Sequence, residues 1–444
     1  MNGSFFIKTY GCQMNEYDSE KMNELLTDVG YKQTFNVEDS DVAIINTCHI
    51  REKASEKMYS DLGRLSIFKE NKKKYGSNMK IIVTGCVAQA EAEEILRRSK
   101  SVDYVLGPQN YHILPKILKG KQNKKKFTDF LSEEKFNTFP NSEIEGISRL
   151  ITIQEGCDKF CSFCVVPYTR GAEFSRPPED IFAEAKKLVN NGALELTLLG
   201  QNVSSYESKI FCKPSYKSVD LCELFKILSR IKGLKRLRYI TSHPNDINAN
   251  LINEHKLNSK LMPFLHLPIQ SGSNKILKEM NRKHTREDYL NLIKKIRFDV
   301  PNMAFSSDFI VGYPGETDND FQQTLDVINK VKFASSYSFI YSPRPGTKSS
   351  LIRDNSITEE VARKRLKIIQ ELLTKQQNEF NIRFLGKTEE ILISSKAKKN
   401  NQYVGRTKYL QPVHIFSSKN IIGQILRVKL KSLTAFSFHG EALR

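Results

Sequence analysis

Three cysteines limit most tightly how this chain can fold. Cys12 closes the apolar run SFFIKTYGC, Cys48 closes DVAIINTC, and Cys86 closes KIIVTGC. Each leads into a helix-like run: DSEKMNELLTDVG, REKASEKMYSDLGRL and QAEAEEILRRS. A strand, a cysteine and a helix, repeated three times, is the grammar of βαβ units in a parallel sheet. In such a sheet the three positions lie along one edge, at the carboxyl ends of the strands, where ligands bind. Thiols far apart in sequence are therefore expected to converge into a three-thiolate site. Gly11 and Gly85, beside two of them, would let backbone approach a bulky group. Three buried structural cysteines are the plainer alternative.

The chain has 444 residues, 39% hydrophobic and 10% aromatic. That is room for about three domains of roughly 150 residues, and it argues against intrinsic disorder. A fourth unit, VDYVLG then NYHILPKILKG, completes a doubly wound α/β domain over residues 3–119. The basic run KGKQNKKK then reads as part of an exposed linker, 120–142. From 143 to 380 six strand candidates recur: RLITIQ, LELTLLG, KRLRYITS, FLHLPIQ, AFSSDFIVG and SSYSFIYS. Helical runs separate most of them, which predicts a partial (βα)6 barrel with its site at the carboxyl strand ends. Residues 381–444 carry short strands with polar turns, a small antiparallel, OB-like β-barrel.

The sequence GCDKFCSFCVVPYTRG places Cys157, Cys161 and Cys164 on a loop after the first barrel strand. Three thiolates so close can converge on one soft metal centre. A 4Fe-4S cluster usually takes four cysteines, so three would leave one iron open. Zinc prefers closed four-coordination and would need a further ligand. Eight cysteines in a chain without a recognisable secretory signal speak against disulfides. Cys212 and Cys222 have no assigned role.

The loop C-x-x-x-C-x-x-C, with aromatic Phe163 before the last cysteine, resembles the radical S-adenosylmethionine (SAM) superfamily. Taken with YGCQMNEYDSE, NTCHIREKA, TGCVAQAEAEE, LLGQNVSSY, LPIQSGSNKIL, DFIVGYPGETDNDF and YSPRPGT, the chain resembles the methylthiotransferase family from Tyr10 to Thr347. Its last segment is similar to that family's TRAM domain. The resemblance implies two 4Fe-4S clusters. Cys157, Cys161 and Cys164 would hold the one that binds SAM and generates a 5′-deoxyadenosyl radical. Cys12, Cys48 and Cys86 would hold the one that carries sulfur. It also implies methylthiolation of carbon 2 of an isopentenylated adenosine beside the tRNA anticodon. Relatives that modify threonylcarbamoyl-adenosine or a ribosomal-protein aspartate are alternatives, and a non-catalytic iron–sulfur RNA-binding protein is one from another class. An electron donor and a sulfur source are implied, with the chain a cytoplasmic monomer. Ala172 and Phe174 depart from the family where basic side chains are frequent, as does His49 where small residues are usual. Tyr206–Val219 reads as an inserted loop.

By barrel logic Phe163, Gly200, Gln201, Ser242, Gln270 and Asp308 are SAM-contact candidates, with Asn202, His243 and Ser271 beside them. Strand-end caps are the plainer alternative. Gln13, Asn15 and Asp18 would orient the first cluster or RNA, or Asp18 would cap a helix. The net charge of +19 favours a polyanionic partner. Between Asn381 and Arg444 stand 12 basic and 3 acidic residues, nearly half the excess. Arg344, Lys396, Lys398, Lys399, Arg406, Lys408, Arg427, Lys429 and Lys431 are accordingly candidates for tRNA phosphate contacts. Of Tyr403, Tyr409 and Phe416, at least two are expected in the barrel core. No apolar run approaches the roughly 18 residues of a membrane span.

Overall fold

The computed structural model describes residues 3–49, 52–122, 124–130, 132–139, 145–212, 215–352 and 357–443. The first unit is a six-stranded, wholly parallel sheet: β1 (Ser4–Thr9), β2 (Lys32–Gln33), β3 (Val42–Thr47), β4 (Lys80–Gly85), β5 (Tyr104–Leu106) and β6 (Lys126–Phe127). Its spatial order is β2-β1-β3-β4-β5-β6. The helices are α1 (Gln13–Asp28), α2 (Glu52–Lys74), α3 (Cys86–Arg98), α4 (Leu114–Leu118) and α5 (Ser132–Thr138). Strand β3 is buried along its whole length, as a central parallel strand must be when helices cover both faces. Alternate residues feed opposite cores: Ala43, Ile45, Ile81 and Val83 on one side, Val42, Ile44 and Ile82 on the other.

The basic run behaves as expected only in part. Lys119, Lys121, Lys124 and Lys125 are exposed. Lys126 and Phe127, however, pair with β5 and extend the sheet. Lys135, on α5, is fully buried. The segment between the first two units is thus built into both of them; residues 123, 131 and 140–142 lie outside the described ones.

The second unit contains the six expected strands in chain order. They are β7 (Ser148–Thr152), β10 (Glu195–Leu199), β13 (Arg236–Ile240), β14 (Phe264–His266), β15 (Ala304–Val311) and β16 (Ser335–Ile340). They form two parallel three-stranded halves, β7-β10-β13 and β14-β15-β16. A parallel bridge, Leu237 to Leu261, links the halves. A short ribbon of β8 (Gln154–Glu155) with β9 (Phe174–Ser175) closes the base of the cysteine loop. The variable segment is a hairpin, β11 (Glu207–Cys212) with β12 (Ser215–Asp220). The side chain of Cys212 lies outside the described residues; Cys222 is buried. Helices α6 (Val166–Thr169), α7 (Pro178–Asn190), α8 (Leu221–Ser229), α9 (Ala249–Leu257), α10 (Asn274–Glu279), α11 (Arg286–Asp299), α12 (Asp318–Val331) and α13 (Glu359–Ile382) complete the unit. Helices α11 and α12 each begin with a reciprocal capping box, Thr285 with Asp288 and Thr317 with Asp320.

Helix α1 is the face the first unit turns to the barrel. Lys21 pairs with Glu184 at 3.0 Å, Tyr17 donates to Glu184 at 3.1 Å, and Arg149 pairs with Glu20 at 2.7 Å.

The third unit is a closed five-stranded barrel of β17 (Thr388–Lys396), β18 (Gln402–Arg406), β19 (Pro412–Phe416), β20 (Ile425–Leu433) and β21 (Phe438–Ala442). Its pairings are antiparallel except β19 with β21, which is parallel. Tyr403 and Tyr409 are buried and Phe416 is exposed. The small barrel docks against the amino ends of the large barrel's strands. Arg236 donates to the carbonyls of Arg406 and Glu390, and Arg238 to those of Lys408 and Thr407. Tyr409 packs with Phe264, Ala304, Phe380 and Phe384. Among the described residues, no helix is long and apolar enough to cross a membrane.

Candidate active site between two cysteine triads

The first triad is assembled by the sheet edge. Cys12 is the N-cap of α1 and donates from Sγ to Asn15 Oδ1 at 3.3 Å. Asn15 and Asn46 exchange hydrogen bonds at 2.9 Å, which ties the start of α1 to the end of β3. A Cβ on Gly11 would lie 2.3 Å from Cβ of Cys48, and one on Gly85 would lie 2.3 Å from the Thr47 carbonyl. Both glycines have positive φ, so only glycine lets the strand ends crowd in this way. The hydrogen bond with Cys48 pulls the Cys12 thiol down to about 6, against burial and with help from the charge of Arg170. Burial raises the Cys86 thiol, and Arg170 opposes that.

The second triad is held by one loop. Gly156, at φ +80°, starts it where a Cβ would fall 1.9 Å from the Ala172 carbonyl. Ser162 donates from Oγ to the Glu279 carbonyl at 2.8 Å, and from its amide to Met280 at 3.0 Å. Asn281 donates to the Phe160 carbonyl at 2.9 Å. Arg282 approaches Cys161 Sγ at 3.5 Å. Burial pushes Cys157 up to about 11 and Cys164 up to about 12.

One cavity of about 360 Å³ joins the two sites: Cys12 lines it together with Cys157, Cys161 and Cys164. Phe163, Gly200, Gln201, Ser242, Gln270 and Asp308 all line it too, as does Arg344. Gln201 also supports the cysteine loop, accepting from the Gly156 amide at 2.7 Å. Asp308 faces His266 at 3.5 Å, an ion pair when that ring is protonated. Gln13 borders the cavity, but Asp18 does not cap a helix and binds Lys135 and Arg170 instead.

The residues fit an iron–sulfur cluster with SAM. The cavity has apolar walls, such as Ile240, Ile310, Phe339 and Ile340, with polar and charged side chains set among them, such as Gln201, Gln270, Arg282 and Asp308. The hydroxyl of Ser242 and both ring nitrogens of His49 are buried there without a hydrogen-bond partner. Burial, then the charges of Arg282, His284 and Lys159, hold His243 neutral, down to about 2. Burial and Arg344 lower His49 to about 4. The cations Lys159, Arg282 and Arg344 on the cavity wall favour thiolate and carboxylate ligands, against the burial that raises Cys157 and Cys164. Among the described residues, no three His, Cys, Asp or Glu side chains stand close enough to share a single metal ion. A multi-iron cluster distributes its ligands over several metal atoms, so wider thiol spacing is compatible with it.

Sequence reasoning missed Arg170, Arg282 and Lys135. The basic residues of the third unit are not brought to the cavity, because that unit sits at the opposite end of the barrel strands. Lys396, Lys398, Lys399, Arg406, Arg427, Lys429 and Lys431 are exposed there, and Lys408 is half-buried. Lys431 pairs with Glu441 at 2.8 Å.

Comparison with known proteins agrees with this architecture. A model of the Radical SAM superfamily matches residues 151–328, and one described as uncharacterized protein family UPF0004 matches residues 4–107. The radical SAM methyltransferase TsrM from Kitasatospora setae shares the fold with TM-score 0.57 at 10% identity, over 79% of this chain and 74% of that one. The cobalamin-dependent radical SAM enzyme OxsB does so with TM-score 0.53 at 10% identity, over 84% and 56%. Fold and cavity thus define a radical SAM enzyme with an added N-terminal α/β unit. Two relatives are named tRNA-2-methylthio-N(6)-dimethylallyladenosine synthase. The one from Rickettsia canadensis (strain McKiel) is 49% identical over 99% of both chains, and the one from Rickettsia rickettsii (strain Sheila Smith) is 50% identical over 100% of both. The chain belongs to the tRNA-2-methylthio-N(6)-dimethylallyladenosine synthase family.

Proposed function

We propose that this enzyme methylthiolates carbon 2 of an isopentenylated adenosine beside the tRNA anticodon. Cys157, Cys161 and Cys164 would hold a 4Fe-4S cluster with an open iron for SAM. Cys12, Cys48 and Cys86 would hold a second 4Fe-4S cluster. The observation that carries this reading is the shared cavity, in which Cys12 stands with the whole barrel triad. When bound, a reduced cluster with SAM supplies the one-electron chemistry needed to open an unactivated C–H bond. The chain's own part is to place, shield and orient. Arg282 sets a positive charge at Cys161, and Ser162 and Gln201 fix the loop. The apolar walls keep water from the reacting carbon. Ser242 and His49 offer unfilled hydrogen-bonding atoms to a bound molecule. The substrate class rests on the names of the relatives. The exposed basic residues of the third unit would contact tRNA phosphates away from the anticodon loop. An electron donor and a sulfur source would come from outside a monomeric, cytoplasmic chain.

The deciding experiment is mass spectrometry of tRNA nucleosides from a host lacking such an enzyme, with and without this chain. Conversion of isopentenyladenosine to its 2-methylthio form is the expected result. An unmodified base in cells holding the intact two-cluster protein would overturn the assignment. Threonylcarbamoyl-adenosine and ribosomal proteins would then be examined in turn.

A further inference from the structure

Each triad has a buried guanidinium beside it, and the barrel supplies both. Arg282 serves Cys161 within its own unit. Arg170 reaches across to the other unit. It is 2% exposed. Its Nη2 donates to Asp18 Oδ2 at 2.9 Å, its Nη1 to Glu155, and its carbonyl accepts from Gln109. Lys135 binds Asp18 Oδ1 and Glu155 Oε1, each at 2.9 Å. Four charges, two of each sign, are therefore sealed between the units.

The placement of this set is informative. Asp18 lies on the helix that Cys12 caps, and Glu155 is separated from Cys157 by Gly156 alone. Arg170 closes the loop of the barrel triad, and its pair with Asp18 at 2.9 Å fixes its guanidinium against the helix that Cys12 caps. From there its charge acts to lower both the Cys12 and the Cys86 thiol. A buried charge is tolerated only when paired. Undocked, α1 would carry Asp18 without its partners, and the first triad would lack its cation. Arginine suits the position because its planar fork reaches two carboxylates while its charge is fixed. A lysine at this position would bring a point charge in place of the fork.

We propose that Arg170 is a positioning residue for the N-terminal thiol triad, supplied in cis by the barrel, and that it makes cluster loading at that triad depend on domain docking. This rests on the reading of Cys12, Cys48 and Cys86 as cluster ligands. Arg170 acts through those thiols and does not touch substrate.

The test uses the full chain with Cys157, Cys161 and Cys164 all replaced by Ala, so that only the N-terminal site can bind iron. Iron and sulfide content and the midpoint potential are measured in this parent and after Arg170→Gln or Arg170→Lys. The parent should hold one cluster. R170Q should lose at least half of that iron, or keep it at a more negative potential, because losing a nearby cation disfavours reduction. R170K should fall between them. Glu184→Gln, which weakens a different contact between the same units, should lower thermal stability without moving the potential. If R170Q does not fold, R170Q combined with Glu155→Gln removes one charge of each sign and is read in the same way. Full iron at an unchanged potential, in R170Q or in the double variant, overturns the proposal. A parent without iron overturns the cluster reading of the triad instead.

Discussion

The two cysteine triads are built by opposite routes and meet the cavity unequally: all three barrel cysteines line it, but only Cys12 of the first triad does. Cys157, Cys161 and Cys164 share one short loop, closed at its base by the β8–β9 ribbon. Cys12, Cys48 and Cys86 come from three separate strand ends and meet only when the sheet has its register. Their electrostatics diverge at Cys12. That thiol is pulled down by Cys48 and by Arg170, whereas Cys86, Cys157 and Cys164 are pushed up by burial. A local site needs a well-held loop. A distributed site needs correct tertiary structure and, here, a charge from the neighbouring unit.

The sharpest way to break this comparison is to remove one triad. Replacing Cys157, Cys161 and Cys164 by Ala should abolish the methylthio product and remove about half of the iron, the four irons of one cluster being the unit lost. Complete loss of iron would show that the sites are not independent. A smaller effect is expected from Asp18→Asn, which leaves Lys135 and Arg170 short of a carboxylate. Breaking a buried pair costs about 3–5 kcal/mol, readable by urea unfolding, and a change below ~1 kcal/mol would mean the four-charge set is not structural.

Acid should loosen the contact between the units next. Burial alone would raise the carboxyl of Glu184, but Lys21 and Arg176 hold it down to about 2. A lowered carboxyl stabilises the fold above its unfolded value of roughly 4.3 and loses that contribution as pH falls toward the folded value. The stability difference between the wild type and Glu184→Gln should therefore shrink from about pH 5 down to about pH 2. A difference that stayed constant over that window would count against the assignment.

Ser162→Ala tests the local side of the comparison. It removes bonds to the Glu279 carbonyl and the Tyr313 hydroxyl, yet those two groups remain within 3.3 Å of each other. About 1–2 kcal/mol is expected, confined to the barrel. The smallest effect lies in the third unit. Lys429→Ala should reduce the salt slope of tRNA binding by about 1, leaving the reaction of bound substrate unchanged.

Much of this architecture was legible because it is periodic. The strand–cysteine–helix repeat located the first triad, and the six barrel strands were read from apolar runs between helical segments. The cavity residues followed from a rule about strand ends. What escaped had no local signature. Lys135 in a polar helix looks like any surface lysine, and its partner Asp18 is 117 residues away. Arg170 finds Asp18 across 152 residues. The parallel pairing of β19 with β21 escaped for the same reason, since strand runs carry no direction. The docking end of the small barrel was equally hidden, because Arg236 and Arg238 read as ordinary residues of a strand.

The ion set also imposes an order on synthesis. Asp18 leaves the ribosome early, but its cationic partners lie 117 and 152 residues further along the chain. The first unit thus emerges before the barrel and cannot finish before it. Until Lys135 and then the barrel's opening loop are made, α1 holds a carboxylate meant for the interior without its full set of partners. Such long-range closure is slow compared with local helix formation. The nascent N-terminal sheet must wait in solution for the loop that seals it.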